Sequence, residues 1–109
     1  MITKSKPIRS KKIRDAARGE LCTLRIPGVC CGDPETTVLC HAPFGGKSMG
    51  LKAPDTWAAA ACHRCHAVAD GRELSDITRE ELLECWLRGI AETQMRLFAK
   101  GLLKAEGAK

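Results

Sequence analysis

The stretch Cys62-His63-Arg64-Cys65-His66 constrains the fold more than any other part of the sequence. Two cysteines three positions apart across one turn can aim both sulfurs at a single cation about 2.3 Å away. One such pair leaves a tetrahedral site half filled, so a second pair has to fold against it. Cys22 and Cys30 supply that pair, because Ile26-Pro27-Gly28-Val29 between them fits a type II turn that folds their ends together. Proline sets φ at the second position of such a turn and glycine accepts the positive φ of the third. The expectation is a four-cysteine zinc site of Cys22, Cys30, Cys62 and Cys65, with Cys31 an alternative to Cys30. Cys40 and Cys85 fit buried apolar positions instead. A redox dithiol at Cys62 and Cys65 is the rival reading, but it calls for a βαβ setting that the surrounding pattern does not offer.

Composition explains why such a staple is needed. Only 27 of the 109 residues are Val, Ile, Leu, Met, Phe or Trp, and tyrosine is absent. Ordering a chain costs about 1.5 kcal/mol per residue, which so thin a core offsets poorly without cross-links or metal. No apolar run of about 18 residues is present, so no membrane span is expected. Nothing at the N-terminus has the apolar stretch of a secretory signal. A cytoplasmic location is therefore expected, where thiols stay reduced and an odd total of seven cysteines reads better as metal ligation than as disulfide pairing.

The formal net charge of +5 is unevenly spread. Residues 1–18 carry seven basic groups against Asp15, whereas the remainder is close to neutral. Residues 1–9 are expected to form a basic, disordered arm of the kind that meets nucleic-acid phosphates, followed by one domain over 10–109. Ser10 is placed to cap a helix over about 11–18, closed by Gly19. Cys22 to Cys30 is expected to be a tight hairpin, and Gly32-Asp33-Pro34 a turn. Thr36 to His41 is β-branched and apolar, and predicts a strand ending near His41. Residues 43–55, rich in glycine and proline, predict a long loop. Trp57 to Ala61 is ambiguous: alanine favours helix, but the place just before a cysteine pair favours a short strand. A helix then runs from Cys65 to about Gly71. Thr78-x-x-Glu81 is a capping box, and Leu82, Leu83, Cys85, Trp86, Ile90, Met95, Leu97 and Phe98 follow with helical spacing as a core-facing stripe. Gly101 ends that helix, and Leu102-Leu103-Lys104 offers a small edge strand.

The histidines are the second layer of chemistry. His41, at a strand end beside a glycine-rich loop, suits a general base acting on water, because imidazole exchanges protons near neutral pH. His66 follows the second knuckle and is expected to face away from the zinc, whereas His63 lies within the knuckle as an exposed or supporting group.

Two cysteines, a strand ending in histidine, a loop and then Cys-x-x-Cys-His on a helix resemble the zinc-containing HNH-like (ββα-metal) endonucleases over about residues 20–72. The segments Arg25 to Cys30, Cys40-His41-Ala42, Pro54-Asp55 and Ala61 to His66 more closely resemble the phage and prophage nucleases of the YbcO type, in a match reaching about Ala105. The resemblance implies an α+β fold: a small zinc-stapled ββα-metal unit with a short N-terminal helix and a long C-terminal one. It implies a metal-dependent endonuclease that hydrolyses DNA phosphodiester bonds. His41 would be the general base, His66 a ligand of a catalytic Mg²⁺ or Mn²⁺, and the zinc held by the four cysteines purely structural. Asp70, four residues after His66 on the same helical face, could join that second ion. The basic arm, Arg64, Lys47 and Lys52 would hold phosphates.

The sequence departs from the family pattern in two places. It contains no asparagine, so the middle residue of the motif is missing, and Asp55 is the nearest polar candidate. The position before the first histidine, often acidic in the family, is Cys40. The alternative function is a non-catalytic zinc module that binds nucleic acid or a protein partner. Glu80, Glu81, Glu84 and Glu92 on the last helix suit a partner, and its apolar stripe suits a homodimer as well as a core.

Overall fold

A computed structural model describes residues 9–44 and 53–105. Most of the basic arm, with Lys4 and Lys6, and the middle of the long loop, with Lys47 and Lys52, lie outside the described residues. The described residues form a small α+β unit: α1 (Lys11–Ala17), a 3₁₀ turn (Pro34–Thr36), β1 (Val38–His41), β2 (Ala58–Ala61), α2 (His63–Ala69) and α3 (Arg79–Ala99). Among the described residues, no helix is long and apolar enough to cross a membrane.

Local signals set most of these boundaries. The Ser10 hydroxyl accepts from the Ile13 amide and starts α1. At Thr78 both arms of the capping box are present, from the Glu81 amide to the threonine hydroxyl and from the Thr78 amide to the glutamate. The expected hairpin from Cys22 to Cys30 has no strands among its residues. Its turn is real, since Ile26 O accepts from the Val29 and Cys30 amides and Gly28 has φ +73°. Its flanks are held by other partners: the Thr23 amide donates to Ala60 O at 2.7 Å. The segment Leu102-Leu103-Lys104 forms no strand either. It folds back over the end of α3, where Gly101 takes φ +75° and the Leu102 amide donates to Leu97 O.

β1 and β2 form an antiparallel pair with Val38 opposite Ala61 and His41 opposite Ala58. Of the two readings of Trp57 to Ala61, the strand is the one formed. All four β2 residues are alanine and all are buried, so burial overrides their helical preference. Small side chains let α3 lie close to the strand. A Cβ added at Gly89 would sit 3.0 Å from Thr23 Oγ1 and 3.2 Å from the Ala59 methyl group. The outer edge of β2 is closed by side chains: Thr93 Oγ1 accepts from the Ala60 amide at 3.0 Å, and Thr23 Oγ1 donates to Ala60 O at 2.8 Å.

The sheet separates two apolar clusters. Cys40, Ala59 and Ala61 pack with Leu24, Ile26, Val68, Trp86 and Ile90, whereas Leu39, Ala58 and Ala60 pack with Ile13, Ala17 and Leu97. The stripe expected on α3 needs correction. Leu83, Met95 and Phe98 are substantially exposed, and the helix instead turns Gly89 and Thr93 inward beside Cys85, Trp86, Ile90 and Leu97. Thr93→Val keeps the shape but orphans the buried Ala60 amide. It should cost about 1–3 kcal/mol in a denaturant melt, and unchanged stability would show that this edge closure is idle.

Candidate functional site

The sulfurs of Cys22, Cys30, Cys62 and Cys65 all lie within 4.8 Å of one another and could hold a metal ion. The Pro27–Gly28 turn brings the first pair together, and the β2–α2 junction the second. Cys62 is the N-cap of α2, its Sγ accepting from the Cys65 amide at 3.5 Å. The Arg25 amide donates to Cys22 Sγ at 3.5 Å and the Ile26 amide to Cys65 Sγ at 3.4 Å. Arg25, whose amide donates the first of these bonds, has the left-handed φ of +42°. That conformation is held from outside by a two-pronged ion pair to Glu92 on α3, with contacts of 2.8 and 2.5 Å. Cys30, and not Cys31, joins the group. Cys31 is exposed, with its Sγ 3.7 Å from both His63 Nδ1 and Thr36 Oγ1. Hydrogen bonding to Cys65 holds the Cys22 thiol down at about 4, and burial pushes Cys30 up to about 11.

His41 closes β1 and is half-buried. Its Nε2 lies 2.7 Å from Oδ1 of Asp55, whose side chain is fully buried. Asp55 also accepts from the Ser10 amide at 2.6 Å and from Arg14 at 2.8 Å, with Arg9 at 4.0 Å. The start of α1 is thereby pinned to the residue that holds the histidine. Burial pushes the Asp55 carboxyl up, but the hydrogen bonds from His41, Ser10 and Arg14 outweigh it and keep it below the usual carboxylate value. A depressed folded value adds stability that is complete above the unfolded value of about 3.9 and is lost as the pH falls through the folded one. The stability gap between the wild type and Asp55→Asn should therefore shrink as the pH falls below about 4. A gap independent of pH down to full acid unfolding would contradict this.

Consecutive strand residues face opposite sides of a sheet, so Cys40 turns from His41 toward α2. There a second group forms: Cys40 Sγ, His66 and Asp70 offer donor atoms within 4.8 Å of one another. His66 Nε2 lies 3.1 Å from Asp70 Oδ2, which also accepts from Arg72 Nε at 3.2 Å. Cys40 is fully buried, His66 half-buried and Asp70 exposed, so the group opens to solvent at one end. Burial raises the Cys40 thiol far above its ordinary value.

The predicted residues thus fall into three places. The four cysteines come together, His66 comes together with Asp70, and His41 is held separately by Asp55. Sequence reading treats Cys40 as filler and does not anticipate Ser10 and Arg14 on Asp55. Strand alternation carries the signal for Cys40, because a histidine facing α1 obliges its neighbour to face α2. Arg64, expected on phosphates, is exposed with Glu73 at 4.0 Å.

The family model described as "Putative nuclease YbcO" matches residues 11–102 of this chain. A relative from Escherichia coli (strain K12), described as "Putative nuclease YbcO", is 44% identical over 94 residues, covering 85% of this chain and 97% of the relative. A relative from Enterobacteria phage 82, "Putative nuclease ybcO", matches with the same identity and coverage. Among solved structures, one described as "Structure of a putative bacteriophage protein from Escherichia coli str. K-12 substr. MG1655" aligns with a TM-score of 0.69 and 40% identity, over 83% of this chain and all of that one. With the family model spanning all but the two ends and two relatives well above the level of chance likeness, the chain belongs to the YbcO nuclease family.

Proposed function

We propose that this protein is a metal-dependent endonuclease that hydrolyses DNA phosphodiester bonds, with its working parts arranged as in the HNH-like enzymes. The observation that carries the reading is the end of β1. There His41, fixed by a buried carboxylate, is the chain neighbour of Cys40, which belongs to a metal-capable group with His66 and Asp70. Adjacent residues have Cα atoms about 3.8 Å apart, so a proton acceptor and a cation site meet at one strand end, from its two opposite faces.

His41 acts as the general base. With Nε2–H donating to Asp55, the lone pair of Nδ1 is free to take a proton from water. The water oxygen attacks phosphorus, the bond to the 3′ oxygen breaks, that oxygen takes a proton from solvent, and a 5′ phosphate and a 3′ hydroxyl result. Asp55 orients the imidazole and stabilises its charged form, the work the missing asparagine would otherwise share. A divalent ion held by His66 and Asp70 would supply positive charge for the scissile phosphate and the leaving oxygen. Arg72, exposed beside Asp70, offers a further cation toward phosphate.

The four-cysteine group suits structural zinc. Sulfurs about 2.3 Å from a tetrahedral ion stand about 3.8 Å apart, and Cys30 and Cys62 are 3.9 Å apart. Backbone amides donate to three of the four sulfurs, which favours thiolates. Four sulfurs leave no open position, so this ion ties the fold and takes no part in hydrolysis.

Nicking of supercoiled plasmid in the presence of Mg²⁺, Mn²⁺ or Zn²⁺ tests the reading. The wild type should cleave and lose activity in chelator, and His66→Ala should lose cleavage while melting as the wild type does. Absence of cleavage by the wild type on duplex, single-stranded and branched DNA with every ion would end the enzyme reading. It would favour the binding module, for which the exposed Leu83 and Leu87 on α3 offer a surface.

A further inference from the structure

The group formed by Cys40, His66 and Asp70 is more selective than the proposed hydrolysis demands. A magnesium site is built from oxygen donors in near-octahedral array and keeps several waters. Here one of three protein donors is a sulfur, and that sulfur is fully buried. Thiolate and imidazole together select zinc-class ions, and they do so by ligand softness rather than by charge. The layout also differs from that of the four-cysteine group. It has three donors of three kinds, closed at the Cys40 end and open at Asp70. Three protein ligands with a position left for water or substrate is the pattern of catalytic zinc, whereas four sulfurs is the pattern of structural zinc.

We propose that Cys40 is a ligand, with His66 and Asp70, of a second and exchangeable zinc-class ion, and that this sulfur turns the site away from magnesium. The inference rests on the nuclease reading only for what the ion would do, and not for whether it binds. On binding, the ion replaces the Cys40 thiol proton, which leaves to solvent. Zinc ligands of these kinds sit about 2.0–2.3 Å from the metal and so about 3.3–3.7 Å from one another. Donors already within 4.8 Å reach that spacing by side-chain adjustment of about an ångström. Helix α2 then serves both centres: Cys62 and Cys65 at its start hold one ion, and His66 and Asp70 on the following turn hold the other.

The test counts metal and sulfur in the full-length protein, reduced and reconstituted with zinc alone. The wild type should retain two zinc ions per chain, and Cys40→Ala should retain one. X-ray absorption at the zinc edge should find five sulfurs shared by two ions in the wild type. A large excess of Mg²⁺ should displace neither ion. His66→Gln, at a half-buried position, gives the same loss of one ion without touching the core and guards against a Cys40→Ala chain that does not fold. A wild type holding a single zinc, a count of four sulfurs over two ions, or release of the second ion by Mg²⁺ would overturn the proposal. So would plasmid cleavage by Cys40→Ala at the wild-type rate and with the wild-type ion preference, an outcome that leaves the nuclease reading intact. Two zinc ions bound through Cys40 in a protein that cleaves no DNA would uphold the site and remove the nuclease.

Discussion

Cys65→Ser should unfold the chain at room temperature, and treatment of the wild type with a strong chelator should do the same. Cys65 is fully buried, and its sulfur takes the Ile26 amide from the opposite side of the metal-capable group. Losing one of four ligands therefore releases both the Cys22–Cys30 loop and its grip on the β2–α2 junction. The apparent binding energy of structural zinc in small domains is about 10–16 kcal/mol, whereas a domain of ordinary stability has only about 5–15 kcal/mol in all. Nothing else in the first apolar cluster can replace such a tie, because much of that cluster is alanine and cysteine. Far-ultraviolet circular dichroism should show loss of the helical signal in Cys65→Ser, and addition of zinc to the chelated wild type should restore it. Cys31→Ser, at an exposed sulfur outside the group, is the control and should melt with the wild type. A Cys65→Ser chain with the wild-type melting curve would remove the proposed zinc from the architecture altogether.

The parts of the structure that the sequence discloses are those fixed by neighbours along the chain. A Cys-x-x-Cys turn, a Pro-Gly turn and a Thr-x-x-Glu box each close on themselves, so the four-cysteine group and the start of α3 are readable in advance. The inward face of α3 is not. Periodicity weighs apolarity, and it selects Met95 and Phe98, which are exposed. What the fold selects at that contact is smallness at Gly89, where β2 presses close, and a hydroxyl at Thr93, where a strand amide lacks a partner. The four alanines of β2 are the same lesson in reverse. Their helical preference is worth tenths of a kcal/mol each, less than the burial and edge pairing that hold them extended. In the candidate site, Asp70 is legible beside His66 from their i, i+4 spacing, and Asp55 as the nearest polar stand-in for the missing asparagine, but the bond from Asp55 to His41 is not. Asp55 reaches His41 across fourteen positions of chain, and only the path of the loop decides that it is the one to arrive.

His41→Ala should lower plasmid cleavage by about 10²–10⁴-fold, the usual contribution of a positioned general base. The fold should survive, because His41 is half-buried and its main partner, Asp55, keeps Arg14 and the Ser10 amide. Three readouts separate a chemical role from a structural one. The loss should fall on kcat with KM little changed, since a base on water makes no substrate contact that strengthens binding. Added imidazole should restore part of the rate in His41→Ala, and none in His66→Ala, where the missing group is a metal ligand. Asp55→Asn should fall between the two: an amide oxygen still accepts from Nε2–H, but it no longer offsets the charge that His41 gains when it takes the proton. Because Asp55 also anchors α1, its variant should be compared at a temperature where circular dichroism shows both chains folded. Equal cleavage rates for the wild type and His41→Ala would show that the dyad is a structural clasp between α1 and β1 and that water is activated elsewhere.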